Sequence, residues 1–315
     1  MSETMKAAVI HQFGDTNQFT IEARPLPIPG VGEVLIEVYA SGVNPIDLKT
    51  RIGQGVSHFW TATNFPIVLG WDISGVVVES KAPEFKVGDE VFGMPRFPEL
   101  ADAYAEFVSA PANELTRKPH NISHIEAAAI PLAALTAWQA LFDTAKLLAN
   151  QTVLIHAGAG GVGHLAIQLA KWKGASVAST TSNQNIAFVT NLGAEKVIDY
   201  TSTNYWEVLS NIDVVFHMIS PDLREKSYQT MKSGGHLISI TGPVSPEEPA
   251  AYNVNGQFIS VRPNGKQIAQ IAELLRSEDI KVEIDASYPL RDVAKAHKHV
   301  EGGHTKGKVV IDLKS

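Results

Sequence analysis

The chain predicts an α/β protein: a doubly wound parallel sheet plus a second, discontinuous β-rich domain. Three observations predict it. A short apolar run, Thr152–His156, passes directly into Gly158-x-Gly160-x-x-Gly163 and then into a helix-like pattern over His164–Lys173. From Gln151 onward, strand-like and helix-like segments alternate, which implies parallel pairing with helices on both faces. Through about residue 120 the chain instead holds short strand-like runs broken by glycine and proline, and one more such run closes it.

Taken in order, Lys6–Gln12 and Phe19–Glu22 read as short strands. Three prolines between Arg24 and Gly30 fix φ and remove donors, so that stretch is extended and irregular. Glu33–Ala40 is a strand, Ser41–Asp47 a loop of turn formers, and Asp47–Ile52 a short helix carrying Lys49 and Arg51. Phe65–Glu79 is a strand pair broken by glycines, and Phe85–Gly93 continues it through a Gly88-Asp89 turn. Ala103–Ser109 is a further strand. Ser123–Glu126 has capping-box spacing and opens an Ala/Leu-rich helical stretch to Leu148.

Beyond it, strands are expected at Ser176–Thr181, Lys196–Ile198, Val214–His217 and His236–Ile240. Helices are expected at Asn185–Leu192, Tyr205–Leu209 and Leu223–Lys232, and a loop at Pro243–Pro249. After Phe258–Val261, helices Lys266–Glu278 and Arg291–Val300 precede a last strand, Gly307–Leu313. The expected domains are 1–122 with 257–315, and an inserted 123–256. A cleft between the two is the natural place for an active site.

Composition narrows the function. The 315 residues are 44% hydrophobic and 19% charged, as in an ordinary soluble protein of about two domains. A net charge of −7 without a basic cluster argues against nucleic acid or an anionic membrane as partner. With no cysteine there is no disulfide, thiolate nucleophile or cysteine zinc site. No signal-peptide core or membrane-length apolar run is visible, so a cytoplasmic location is expected.

Strand, glycine turn and helix come in the order of a Rossmann dinucleotide site. One glycine permits the tight turn, the second lets the main chain approach a pyrophosphate, and the third lets helix and strand pack closely. The amides of Gly158, Ala159, Gly160, Gly161, Val162 and Gly163 then face the phosphates, with the helix dipole adding attraction.

Further motifs run the length of the chain: G-E-V-L-I-E-V at 32–38, G-V-N-P-I-D at 42–47, G-W-D-I-S-G-V-V at 70–77, V-G-D-E-V-F-G at 87–93, A-A-A-I-P-L-A-A-L-T-A-W-Q-A-L at 127–141, H-A-G-A-G-G-V-G at 156–163, L-G-A-E-K-V-I-D-Y at 192–200 and G-K-V-V-I at 307–311. In these the sequence resembles the medium-chain dehydrogenase/reductase superfamily, and within it the zinc-free quinone oxidoreductase or enone reductase branch. The resemblance implies a GroES-like substrate domain beside the Rossmann domain, a homodimer, and hydride transfer from a nicotinamide cofactor. Zinc-dependent relatives carry cysteine where Asn44 stands and a His-Glu pair where Trp71-Asp72 stands. The expectation is therefore no zinc.

For the cofactor, no acid occurs from His164 through Ala194, so nothing in that stretch repels a 2′-phosphate. Ser182 and Asn183 could donate to it, and Tyr200 matches a tyrosine that lies by the 2′-phosphate in similar enzymes. Against this, Lys and Arg are missing between Gly174 and Glu195. NADPH is favoured over NADH.

Hydride delivery to a quinone or an enone leaves negative charge on oxygen, which needs donors and positioning. By resemblance Asn44 and Asp47 lie beside the nicotinamide, and Lys49 stands where relatives carry tyrosine or lysine; these three are the catalytic candidates. Asn44 offers an amide donor, Asp47 an orienting or capping carboxylate, and Lys49 a cation for an enolate oxygen. Thr136 resembles a threonine that touches the cofactor. Thr241 follows a strand at the carboxyl edge, where ligands bind in open α/β sheets. Phe59, Trp60 and Phe65 are candidates for an apolar substrate mouth. His297 and His299, at i and i+2, do not share a helical face, and His156, His217 and His236 sit at strand ends, where packing explains them; no metal is expected. The resulting reading is an NADPH-dependent, zinc-independent reductase of small quinones or α,β-unsaturated carbonyls. Two others stay open: a nucleotide-binding redox sensor or structural protein without turnover, and a zinc-free alcohol dehydrogenase.

Overall fold

The computed structural model describes residues 3–59 and 65–315. Trp60 and the side chain of Phe59 lie outside the described residues. Phe65 packs edge-on against Phe13, ring centroids 4.9 Å apart. Two compact units result: residues up to Leu135 with Arg262–Ser315, and Thr136–Val261. The joins therefore fall later than the 122/123 and 256/257 expected from sequence. Residues 123–135 stay with the first unit because helix His124–Ala128 packs there. Ser123 caps it, accepting from the Glu126 amide at 3.2 Å, and Ala128 and Ala129 pack with Ala40 and Val310. At the other join, Asn255–Phe258 is a strand of the second unit's sheet.

The first unit is β-rich. A seven-stranded sheet runs Ile284–Pro289, Lys308–Asp312, Glu33–Val43, Asp72–Ser80, Glu90–Gly93 and Leu115–Arg117, with Phe107–Pro111 paired to Glu33–Val43. All pairs are antiparallel except Ile284–Pro289 with Lys308–Asp312. A smaller antiparallel sheet orders Thr20–Pro25, Thr4–Ile10 and Ile67–Val68. Glu33–Val43 runs three residues beyond its expected end, so Ser41, Gly42 and Val43 are strand rather than loop. Strand Ile284–Pro289 was not foreseen; its alternating half-exposed polar residues gave no apolar run to read.

The second unit is a six-stranded parallel sheet ordered Lys196–Asp199, Ser176–Thr181, Thr152–Ile155, Ile212–His217, Met231–Ser239, Asn255–Phe258. Numbered within the unit this is 3-2-1-4-5-6, the doubly wound order with its switch point between the first and fourth strands. Val153, Leu154 and Ile155 are fully buried, as a central strand covered on both faces requires.

Candidate active site

In the first unit, strand Glu33–Val43 delivers Asn44 to the start of helix Pro45–Arg51. Pro45 suits the first helical position, where its missing N–H costs nothing. Asp47 caps the helix from within: its Oδ2 accepts from the Asn44 amide at 2.7 Å and from the Tyr104 hydroxyl at 2.8 Å. The Asn44 side chain donates to Asp72 Oδ2 at 2.9 Å and accepts from Lys308 Nζ. Lys308 also donates to the Val43 carbonyl at 3.0 Å, and Asp72 Oδ1 accepts from the Leu132 amide at 2.7 Å. Behind Tyr104, His297 Nε2 lies 3.2 Å from its hydroxyl, and Arg51 Nη1 lies 3.1 Å from His297 Nδ1. Arg51 also pairs with Glu301.

This network is closed to solvent. Asp47 and Asp72 are 0% exposed, Asn44 1% and Lys308 3%. Of the three catalytic candidates only Lys49 is exposed. Asn44 and Asp47 thus hold the helix and each other, with both side chains buried. Burial, aided by the Asp72 charge, pushes the Asp47 carboxyl up to about 7 against its two donors. Burial also raises Asp72 and lowers Lys308, while each favours the other's charged form. Asp47 Oδ1 is buried without a hydrogen-bond partner, as befits a carboxyl that is readily protonated.

The place where zinc relatives carry Cys and His-Glu does not fit a zinc ion. Trp71 offers no ligand atom, its indole donating to the Glu99 carbonyl at 2.7 Å. The Asn44 oxygen and the Asp72 carboxylate already face the Lys308 ammonium, 3.9 Å from Asp72 Oδ2. Lys308, Tyr104 and His297 were missed from sequence. The one local signal was a lysine leading the otherwise apolar strand Lys308–Asp312.

In the second unit the three glycines differ in function. A Cβ on Gly163 would lie 2.2 Å from the Ala157 carbonyl oxygen, and one on Gly158 would lie 2.1 Å from Ser179 Oγ, so both are demanded by packing. Gly160 meets only the Ala157 oxygen, at 3.3 Å. Gly160, Gly161 and Val162 are half-buried at the rim, whereas Gly158, Ala159 and Gly163 are buried beneath. No side chain caps helix Gly163–Trp172. Contrary to expectation, the Gly158 and Gly160 amides donate to the Thr180 and Ala157 carbonyls, at 2.9 Å each, and the His164 amide to the Gly160 carbonyl at 3.0 Å, so an anion at the rim meets the main chain of Gly161 and Val162. The cradle fits a diphosphate.

At the far edge, Thr181 and Asp199 are paired in register and the Tyr200 amide donates to the Thr181 carbonyl at 3.1 Å. Ser182 and Tyr200 therefore leave adjacent strand ends; Tyr200 is 57% exposed and Asn183 is exposed. Asp199 is an acid the reading of 164–194 did not reach. Bonds from the Thr201 hydroxyl and amide, with Asn183 also donating, hold its carboxyl below the usual range. Thr241 donates to the Ile219 carbonyl at 2.9 Å. Thr136 is buried in helix Pro131–Trp138. Of the two helical histidines, His297 is buried, whereas His299 lies between Tyr288 and Asp285. Among the described residues no three His, Asp or Glu side chains are grouped as a metal site would need, and no helix is long and apolar enough to cross a membrane.

Sheet order, glycine cradle and antiparallel β-rich unit define a nicotinamide-type oxidoreductase fold, and comparison with known proteins agrees. Residues 30–120 match the alcohol dehydrogenase GroES-like domain, and residues 192–311 a domain described as zinc-binding dehydrogenase. The chain is 33% identical to 2-methylene-furan-3-one reductase of Solanum lycopersicum and 34% identical to an NADPH-dependent alkenal/one oxidoreductase, chloroplastic, of Arabidopsis thaliana. Each alignment covers 98% of this chain and 79% of the relative. A quinone oxidoreductase structure from Coxiella burnetii superposes with a TM-score of 0.93 at 34% identity, over 98% of this chain and 99% of that one. The chain belongs to the medium-chain dehydrogenase/reductase superfamily, in its quinone oxidoreductase and enone reductase branch, and is an oxidoreductase enzyme. The reading without turnover gives way to this.

Proposed function

We propose that the protein is an NADPH-dependent, zinc-independent reductase of small quinones or α,β-unsaturated carbonyls, working as a cytoplasmic homodimer. The observation that carries it is the open glycine cradle at Gly160–Val162, in a chain similar over nearly its whole length to reductases of conjugated carbonyls. Lys308, already seated between Asn44 and Asp72, supports chemistry without a metal.

A bound nicotinamide nucleotide would supply a hydride, that is, one proton and two electrons. Gly161 and Val162 would hold its diphosphate by main-chain amides, with Gly160 keeping that approach free of a side chain. Ser182, Asn183 and Tyr200 meet the adenosine end, and Thr136 and Thr241 contribute further contacts. As hydride reaches the substrate, negative charge collects on its oxygen; the exposed ammonium of Lys49 stabilises that charge. A solvent proton completes the reduction. Asn44 and Asp47 position the helix that carries Lys49 and touch no substrate.

The test is steady-state oxidation of NADPH, and in parallel NADH, against a panel of quinones and enones with and without a chelator. Turnover that survives the chelator and prefers NADPH is expected. No turnover across the panel, loss of activity with chelator, or oxidation of alcohols alone would each overturn the reading.

A further inference from the structure

Beneath the glycine turn lies a buried polar chain that the proposed chemistry does not use. His156 directly follows the first strand of the parallel sheet and His217 ends the fourth; both are 0% exposed. Ser227, on helix Arg224–Gln229, sits between them. Its Oγ is 3.1 Å from His156 Nε2, 3.2 Å from His217 Nδ1 and 2.9 Å from the Tyr205 hydroxyl. On the outer side, His156 Nδ1 is 3.2 Å from Thr180 Oγ1, which accepts from the Ala157 amide at 3.3 Å. His217 Nε2 is 3.1 Å from the Ser220 carbonyl oxygen.

The hydrogens in this chain are forced. A carbonyl oxygen only accepts, so His217 carries its proton on Nε2. Burial, with the Arg224 charge adding to it, lowers His217 to about 4, and burial holds His156 well below its ordinary value, so both rings are neutral. His217 Nδ1 is then an acceptor, and the Ser227 hydroxyl donates to it at 3.2 Å in preference to the Leu223 carbonyl, 3.4 Å away. With that hydrogen spent, His156 must donate from Nε2 to Ser227 Oγ. His156 Nδ1 is left to accept from Thr180, whose oxygen accepts from Ala157. Tyr205 donates to the Leu223 carbonyl, 3.0 Å away, or to Ser227. The result is one directed sequence from the Ala157 amide through Thr180, His156, Ser227 and His217 to the Ser220 carbonyl.

Its two ends matter. Ala157 opens the glycine turn after the first strand, at φ +50°, a left-handed conformation that is costly for alanine. Ser220 lies in the connection after the fourth strand, which Thr241 also holds through the Ile219 carbonyl. First and fourth strands are adjacent and parallel, with Val153 opposite Val214. They flank the switch point, outside which an open α/β sheet binds its ligand.

We propose that Thr180, His156, Ser227 and His217 are positioning residues for the dinucleotide: their one-way chain bridges the floor of the crevice, fixes Ala157 in its left-handed turn, where its carbonyl accepts from the Gly160 amide at 2.9 Å, and so aims the amides of Gly161 and Val162 at the diphosphate. This rests on the reading that the second unit takes a nicotinamide dinucleotide. A chain of donors with one direction tolerates neither the other tautomer of either ring nor loss of a hydroxyl.

The test has two arms on the full-length protein. In histidine-labelled wild type, long-range proton–nitrogen spectra assigned by His156→Gln and His217→Gln should show both rings as neutral Nε2–H tautomers. In binding titrations followed by nicotinamide fluorescence, Ser227→Ala and Thr180→Val should raise the NADPH dissociation constant about tenfold or more, with kcat at saturating cofactor changed less than about twofold. Thr180→Ser, which keeps the hydroxyl, should bind like wild type. An Nδ1–H tautomer at either ring overturns the proposal, as does unchanged affinity in the folded Ser227 and Thr180 variants of a wild type that binds NADPH. A wild type that binds no nicotinamide nucleotide would sink the functional reading itself, and this proposal with it.

Discussion

Lys308 and Asp72 form an ion pair with almost no access to water: Nζ stands 3.9 Å from Oδ2, and the side chains are 3% and 0% exposed. Removing one partner of such a pair strands the other in a medium that cannot solvate it. Lys308→Met is expected to lower the unfolding free energy by about 3–5 kcal/mol. Asp72→Asn in the Met background should recover part of that loss. Urea unfolding of the single and double variants measures both, and a loss under about 1 kcal/mol for Lys308→Met would mean the ammonium is not held as described.

Asp47 and the buried histidines set opposite limbs of a pH profile. Folding raises the Asp47 carboxyl from 3.8 to about 7, so its contribution is complete below the unfolded value and is lost as pH climbs through 7. His217 and His297 are lowered from 6.5 to about 4 and about 3; their contribution is complete above 6.5 and is lost on acidification. Melting temperature should peak in mildly acidic solution, and Asp47→Asn should remove the fall towards pH 7 and steepen the rise on its acid side. A scan from acid to alkaline buffer in which the variant keeps the wild-type slope near neutrality would refute the assignment.

Gly160 and Gly163 should separate binding from folding. A methyl group on Gly160 would crowd only the Ala157 carbonyl oxygen, at 3.3 Å, so Gly160→Ala should cost about 1 kcal/mol or less. Gly160→Asp should keep the fold but place a carboxylate among the phosphates and abolish nucleotide binding. Gly163→Ala drives a Cβ onto the Ala157 carbonyl and should cost about 2 kcal/mol or more. Chemical denaturation beside cofactor titration distinguishes them; unimpaired NADPH affinity in Gly160→Asp would show the phosphates lie elsewhere.

Lys49 is exposed on the helix that Asn44 and Asp47 brace. Lys49→Ala should leave the melting temperature unchanged and reduce kcat about ten- to a hundredfold, as removal of one charge-stabilising donor does. Wild-type kcat in that variant would leave the developing oxyanion without a protein cation.

Asp199 sits at the carboxyl end of strand Lys196–Asp199, beside the residues proposed for the adenosine end, with its carboxyl held below the usual range. Asp199→Asn should tighten NADPH about two- to tenfold and leave NADH nearly unchanged, because only NADPH brings a second anion to that edge. Dissociation constants at low and physiological salt would decide it, and an equal change for both nucleotides would place the 2′-position elsewhere.

Legibility followed sequence separation. The strand–glycine–helix passage could be read because its constraints are local: Gly163 packs on Ala157, Gly158 sits against the neighbouring strand, and the apolar run of Val153–Ile155 announces a covered strand. Ser123 and Glu126 likewise announced their helix. The cluster around Asn44 could not be read that way. Lys308 reaches Asn44 across 264 residues, and His297 reaches Arg51 across 246. In sequence Asn44-Pro45 looks like an exposed turn and His297 like one more residue of an amphipathic helix; only tertiary packing takes both from water. Asp199 was missed for a related reason. It lies on the third strand of the parallel sheet, beyond the stretch in which a ribose-binding acid is sought, and parallel pairing with Ser176–Thr181 brings it back beside Asn183.

The order in which the ribosome releases this chain runs against its architecture. Strand Glu33–Val43 emerges early, yet one of its neighbours, Lys308–Asp312, follows only after all of Thr136–Val261. The inserted Thr136–Val261 segment, by contrast, forms a compact unit from one continuous stretch. Newborn chains will therefore finish the later-made unit first, while the earlier sheet waits with an unpaired edge and Asp72 lacks its lysine. In the cell, chaperone demand and the toll of C-terminal truncation should fall on the amino-terminal half.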